Sequence, residues 1–398
     1  MMEGAEFQAF KPLGEGSPPQ MKYFLEVAQR IPLTPDVLIA SRSGRKVVGV
    51  FCGVIPYHLI FAAGAMPLRL CSWPRGGASG ASNLLPQSCC PAAGGIAEAL
   101  LPGGAAYGRI DALVIPTVCQ WKAKLGEILD SYYPVFRYNI LTDAETMRME
   151  SLRLLEWLER LTGRRATKKR LHSAAGAVRS ARAAFSRICK FREKHPPPLS
   201  GLDAMLISAS YMRCDIGQWT DSCSRLARQL QGRVEAGSAM LEMETLGGLG
   251  GKTPRVMIVG VPFFWPDWLP VAILERAGCV VVSEDDSALN GAEAAEAPFD
   301  VTCPSCSCCV AGWRQRGAVE SYLAWASLVR AQGALIHRVA CCEARSEAAP
   351  ALAEALENSG VRTLVFDSSA DGKRDAREIA KTFGDFVAGL PPPPKQDY

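Results

Sequence analysis

Short apolar runs rich in Val, Ile and Leu alternate along this chain with longer stretches of helical spacing. One set of runs lies at 46–51, 66–70, 111–116 and 135–140, and a second at 255–261, 279–283, 334–340 and 363–367. Continuous apolar runs of this kind, separated by helical text, mark strands buried on both faces of a parallel sheet. Both sets open alike. A strand is followed by a helical stretch (57–63 or 268–277), a glycine (Gly64 or Gly278) and a second strand. A glycine just past a helix adopts the left-handed conformation that ends it. The pattern predicts an α/β chain of two similar lobes, each with a four-stranded parallel sheet of Rossmann-like type.

A long helical region, about 143–231, separates the sets; Leu152, Leu155, Trp157, Leu158 and Leu161 carry its spacing. His195-Pro196-Pro197-Pro198 interrupts it. The expected organisation is an N-terminal helical segment (1–35), a first α/β lobe (36–142), a helical connector (143–250), a second lobe (251–388) and a disordered tail (389–398). Gly250-Gly251-Lys252-Thr253 resembles the end of a phosphate-binding loop, but Leu246 stands where that motif needs glycine. These glycines also precede a strand instead of following one, so no ATP site is expected there.

Composition narrows the class. The chain has 398 residues, 48% hydrophobic and 21% charged, with a formal net charge of +4. That length holds two or three domains of ordinary soluble composition. The basic run Lys168–Arg170 has no interleaved aromatic residues, which reads as a solvated helix face and not as a nucleic-acid surface. No apolar run reaches the ~18 residues of a membrane span. The first residues lack an apolar signal core, so the cytoplasm is the expected compartment. Fifteen cysteines are the anomaly. In a reducing compartment, clustered thiols read as metal ligands or redox groups, not as disulfides. Cys189, Cys214, Cys223 and Cys279 stand alone and read as small core residues.

The remaining cysteines fall at strand ends. Cys52 and Cys71 end the first two strands, Cys119 lies just past the third, and Cys341 and Cys342 follow the run 334–340. Parallel sheets build their ligand sites outside the carboxyl ends of the strands. Two clusters add to these: Cys89-Cys90-Pro91, and Cys303, Cys306, Cys308 and Cys309 in a C-x-x-C-x-C-C run. Closely set thiolates repel one another unless a cation neutralises them. Zinc favours paired C-x-x-C knuckles, and only one such pair is present. Scattered ligands favour an iron–sulfur cluster, with structural zinc as the alternative.

The stretch 48–56 (Val-Gly-Val-Phe-Cys-Gly-Val-Ile-Pro) and the stretch 62–71 resemble the opening of the 2-hydroxyacyl-CoA dehydratase and benzoyl-CoA reductase family. The similarity continues through Cys90-Pro91, Pro116-Thr117-Val118-Cys119, Cys341 and Phe366-Asp367, with Gly372 and Arg377 beyond. The resemblance covers most of 20–388. Gln120 stands where the family usually has Asp, and Lys373 where it usually has Gln. It implies a 4Fe–4S cluster between the lobes on Cys90, Cys119 and Cys341. It also implies a separate ATP-dependent activator, carrying its own 4Fe–4S cluster, that donates low-potential electrons. Cys71 and the Cys306-x-Cys308 pair resemble the double-cubane branch, in which six cysteines hold fused cubanes and small molecules are reduced. There the ligands would be Cys71, Cys90, Cys119, Cys306, Cys308 and Cys341, with Cys89, Cys309 and Cys342 as register alternatives. A homodimer is expected in that branch, and a heterodimer with a related subunit in the single-cluster dehydratases.

His58 and His337 read as packed core histidines. Asp367 and Arg377 read either as an ion pair or as part of a substrate pocket. No Ser/His/Asp arrangement or carboxylate pair has local support.

Overall fold

The computed structural model describes residues 13, 16–30, 34–51, 55–70, 84–86, 89–104, 106–117, 119–140, 144–237, 253–263, 267–284, 318–339, 342–368 and 375–391. Within these, the first sheet consists of β1 (Val47–Val50), β2 (Met66–Arg69), β3 (Ala112–Pro116) and β4 (Val135–Tyr138). Its order is β2-β1-β3-β4, and every pairing is parallel. The second sheet consists of β5 (Arg255–Gly260), β6 (Val280–Glu284), β7 (Gly333–Val339) and β8 (Arg362–Ser368). It repeats the order as β6-β5-β7-β8, again all parallel. The chain is therefore α/β with two Rossmann-like lobes, and each predicted strand is present with its ends moved by a residue or two.

Burial explains why the runs were legible. All residues of β1, β2, β3 and β5 are buried, as expected of strands covered by helices on both faces. The outer strands β4 and β8 expose Arg137 and Asp367, respectively. In each lobe the chain starts in the sheet's middle, moves one strand outward, then crosses back. This leaves a crevice between the carboxyl ends of β1 and β3, and a second between those of β5 and β7.

Helices α1 (Met21–Gln29) and α2 (Pro35–Arg42) precede the first sheet, and α3 (Tyr57–Ala62), α4 (Pro91–Leu100) and α5 (Gln120–Leu129) connect its strands. The helical region is four helices: α6 (Ala144–Thr162), α7 (Lys168–Arg192), α8 (Gly201–Ser210) and α9 (Ile216–Glu235). The second lobe carries α10 (Leu269–Arg276), α11 (Ala318–Leu328), α12 (Glu343–Asn358) and α13 (Ala376–Ala388). Helices α3 and α10 each end two residues before a glycine of positive φ, Gly64 at +85° and Gly278 at +104°, as the sequence pattern requires. No described helix is long and apolar enough to cross a membrane.

The helical region shares a core with the first lobe. Phe24 of α1, Tyr57 and Ile60 of α3, Leu154 and Leu158 of α6, Phe185 of α7 and Trp219 of α9 belong to one cluster with Val48 and Val114. Helix α8 is buried along its whole length, packed between α1 on one side and β6 and α10 of the second lobe on the other. The C-x-x-C-x-C-C run, the 247–251 glycines, 392–398 and the segment around Gly372 lie outside the described residues.

Candidate functional site

Three of the described cysteines occupy one kind of position. Cys119 is the N-cap of α5, three residues past the end of β3. Cys342 is the N-cap of α12, three residues past the end of β7. Cys90 is the N-cap of α4, with Pro91 at the first helical position. Each is half-buried and outside any disulfide. A crossover helix runs against its parallel strands, so each of these N-termini faces the carboxyl edge of its sheet.

The caps are unusual in what they lack. At none of the three does the thiol accept a hydrogen bond from the first turn of its helix. The first turns of α4 and α5 contain no acidic side chain. Helix N-termini carry partial positive charge and favour an anion. A thiolate, or an anionic cluster bound by thiolates, meets that preference. Helices α4 and α5 pack on each other, so Cys90 and Cys119 head neighbouring helices. Beside them, the Lys122 ammonium lies 5.3 Å from the centre of the Phe51 ring at the end of β1.

Burial distinguishes the two cysteines of the doublet at 89–90. The Cys89 side chain belongs to the first lobe's core with Ala92, Ala93 and Ile96. Burial pushes its thiol pKa up, and the Cys90 thiol beside it adds to the rise, partly offset by a hydrogen bond from the backbone of Gly94. Cys90 instead stands at the core's edge, partly exposed. The isolated cysteines are packed thiols. Burial raises the pKa of Cys189 and Cys214 to about 12 and those of Cys223 and Cys279 well above the usual range. The Cys279 thiol donates to the Leu274 carbonyl at 3.2 Å.

The crevice of the second lobe is closed by a buried histidine. His337 of β7 bonds the Val261 carbonyl through Nδ1 and the Ser368 hydroxyl through Nε2. A carbonyl only accepts, so Nδ1 carries the proton, and in the neutral ring Ser368 donates to Nε2. Phe263 stacks on the imidazole at 4.0 Å between centroids. His337 thus acts as a latch between β5, β7 and β8. Asp367 accepts two bonds from Arg338, at 2.7 and 2.5 Å, which assigns it a structural ion pair across β7 and β8. Neither the Lys122–Phe51 contact nor the His337–Ser368 bond has a sequence signal, because each joins residues far apart in the chain.

Cys52, Cys71, Cys303, Cys306, Cys308, Cys309 and Cys341 lie outside the described residues. Among the described residues, no group of three or more His, Cys, Asp or Glu side chains is gathered for a metal ion. The donor set that is described, half-buried thiols at helix N-termini, has the chemistry an iron–sulfur cluster needs.

The description "2-hydroxyglutaryl-CoA dehydratase, D-component" matches residues 52–387. A protein of Escherichia coli (strain K12) named as a proposed dehydratase subunit, YjiM, is 24% identical over 276 residues, covering 65% of this chain and 67% of that protein. The match spans both lobes and the helices between them, and the chain belongs to the 2-hydroxyglutaryl-CoA dehydratase D-component family.

Proposed function

We propose that this dehydratase-family chain is an iron–sulfur redox protein of the double-cubane branch. Its ligands are Cys71, Cys90, Cys119, Cys306, Cys308 and one of Cys341 and Cys342. It receives low-potential electrons from a separate ATP-dependent activator that carries its own 4Fe–4S cluster, and it reduces a small molecule. On this reading it works as a homodimer in the cytoplasm.

The observation that carries the reading is the repeated position of Cys119 and Cys342. Each caps the helix that follows the third strand of its sheet, three residues past the strand end. Two lobes of one topology thereby each carry a thiol at the equivalent point of their own crevice. The cap register favours Cys342 as the partner of Cys119, whereas the family resemblance favours its neighbour Cys341. In the first doublet, the buried and raised Cys89 thiol favours Cys90 as the ligand.

When bound, the cluster supplies one-electron chemistry at low potential. The chain's own residues hold the thiols at the positive ends of α4, α5 and α12, those of Cys119 and Cys342 just past the buried inner strands β3 and β7. His337, Phe263 and Ser368 fix the β5–β7 crevice, so that the second lobe presents its thiol from a rigid edge.

A single-cluster dehydratase subunit is the second reading, favoured by the dehydratase description of the family. The branches separate on Cys71→Ser and Cys306→Ser. In the double-cubane reading each lowers the iron bound per chain. Unaltered iron in both variants would leave a single cluster on Cys90, Cys119 and the 341–342 doublet, and would direct assays to acyl-CoA thioesters.

A further inference from the structure

Strand β4 is the outer strand of the first sheet, and among the described strands only β3 pairs with it. The direction of its backbone groups follows from two bonds. The N–H of Leu113 donates to the Pro134 carbonyl and that of Thr117 to the Tyr138 carbonyl. These carbonyls face β3, so by the alternation of a strand the N–H and carbonyl of Val135 and of Arg137 face away from the sheet. The next N–H in that outward row belongs to Asn139, and Glu150, 3% exposed, accepts it at 2.8 Å. A carboxylate thus stands in for a neighbouring strand at the carboxyl end of β4, and the edge ahead of it is left for another chain.

A cleft of about 490 Å³ lies between this strand and α6. Val135, Phe136 and Arg137 all line it, although Val135 packs toward the core around α4 and α5 and Phe136 toward the core under α6. Successive residues of a strand turn to opposite faces, so a cleft that meets three in a row follows the backbone edge. The other wall is Arg153, Glu156, Trp157 and Arg160, whose spacing of three and four places them on one face of α6. The groups on a strand edge take an extended peptide as an added strand, and flanking side chains select its sequence.

Here the flanking side chains favour acid, with three guanidiniums against Glu156. A charged residue on an edge strand blunts it against pairing, but Arg137 is drawn aside to Asp130, the C-cap of α5, at 3.0 Å. Arg153 gives one nitrogen to Glu150 at 2.6 Å. A guanidinium has five N–H donors, so both keep donors for a further acceptor. Arg153 and Arg160 are two turns apart on α6, about 10.5 Å along its axis, which is about three residues of extended chain. Trp157 lies between them, its ring 5.5 Å from that of Phe136.

We propose that this groove docks an acidic segment of a partner protein, which adds to β4 as an extra strand. Its main chain bonds Val135 and Arg137, an apolar side chain lies on Trp157, and carboxylates on either side pair with Arg153 and Arg160. The main-chain bonds supply affinity, and the forked guanidiniums select carboxylates. The inference stands apart from the cluster, since it uses none of the cysteines.

The test titrates the full chain into a capped, fluorescein-labelled heptapeptide of alternating Asp and Val, read by fluorescence anisotropy. Alongside run the same peptide with Lys for Asp and two forms N-methylated at alternate residues, one in each register. The Asp–Val peptide is expected to bind and to slow amide exchange at Val135 and Arg137. The Lys form, and the N-methylated form that loses the donors facing β4, should bind about tenfold or more weakly. Arg160→Gln should weaken the Asp–Val peptide to a similar extent by removing a charge-assisted bond. Arg160 is exposed, so its replacement leaves the fold intact. No binding of the Asp–Val peptide by folded wild type overturns the proposal, as does affinity unchanged in Arg160→Gln. Both N-methylated forms binding as well as the parent would mean that charge alone holds the peptide, and would overturn the added strand. Amide protection at Val135 and Arg137 that rises with the concentration of the free chain would assign the edge to a second copy and overturn the partner.

Discussion

At the scale of single residues, burial sorts the cysteines into two kinds. Cys214, Cys223 and Cys279 are packed thiols that burial keeps protonated, whereas Cys90, Cys119 and Cys342 stand half-buried at helix N-termini. Cys119→Ser and Cys90→Ser are expected to lose most of the bound iron, and Cys223→Ala to keep it. Iron assay of the three variants checks this, and equal loss in all of them would mean that only folding had been disturbed. The sequence placed Cys119 correctly relative to its strand, because a short apolar run ends where the helical pattern begins. It left the doublet at 89–90 open, because adjacent residues differ there only in which one caps the helix and which one turns into the core. A carboxylate gives the second residue-scale prediction. Glu275 accepts backbone N–H bonds from Gly201 at 2.7 Å, Leu202 at 3.3 Å and Val281 at 3.1 Å. Burial nevertheless pushes its pKa up to about 7. A folded-state pKa above the unfolded one contributes stability at low pH that is lost as pH rises through the folded value. Urea midpoints should therefore fall between about pH 4.3 and 7, and fall less in Glu275→Gln; parallel profiles for the two proteins would refute the assignment.

At the scale of elements, the two lobes repeat a strand order and a helix stop, and both were legible. Inner strands buried on both faces read as unbroken apolar runs, and Gly64 and Gly278 sit at the end of equivalent helices. The helical region was legible as helix but not as four helices. The break after α7 has its proline signal at 196–198, yet the break between α8 and α9 is made at Met212, whose φ is +57°, with no glycine or proline to announce it. Helix α8 is buried on all sides, so it lacks the amphipathic period that would have marked its ends. Gly260 tests the crevice of the second lobe. Its φ is +99°, and a Cβ there would press on the His337 carbonyl oxygen. Gly260→Ala is expected to cost about 3 kcal/mol or more, from backbone strain and displacement of the β5–β7 pairing. Chemical denaturation measures it, and a cost within experimental error would show that β5 ends differently.

At the scale of the whole molecule, the helical region binds the second lobe through buried polar groups, and this the sequence did not reveal. Arg255, 1% exposed, donates to the carbonyls of Val329, Lys194 and Arg192 at 2.7, 2.9 and 2.7 Å. Arg192 donates to Glu284 at 2.6 Å and to the Val281 carbonyl at 2.9 Å. These bonds cross 61 to 92 residues of chain, so no local pattern encodes them. Arg255→Met leaves three carbonyls without that donor and should cost about 3–5 kcal/mol, read as a lower thermal midpoint. A midpoint equal to wild type would mean that the Arg255 bonds do not hold the helical region to the second lobe.

Across the whole molecule, the thiols at the sheet edges are expected to hold an iron–sulfur cluster. The most direct test is the iron, acid-labile sulfide and zinc bound per chain after anaerobic purification. A brown, oxygen-sensitive protein is expected, with iron and sulfide in equal amounts, about eight of each for two cubanes. A colourless protein with stoichiometric zinc and no iron, unchanged by air, would contradict it and make the cysteines structural.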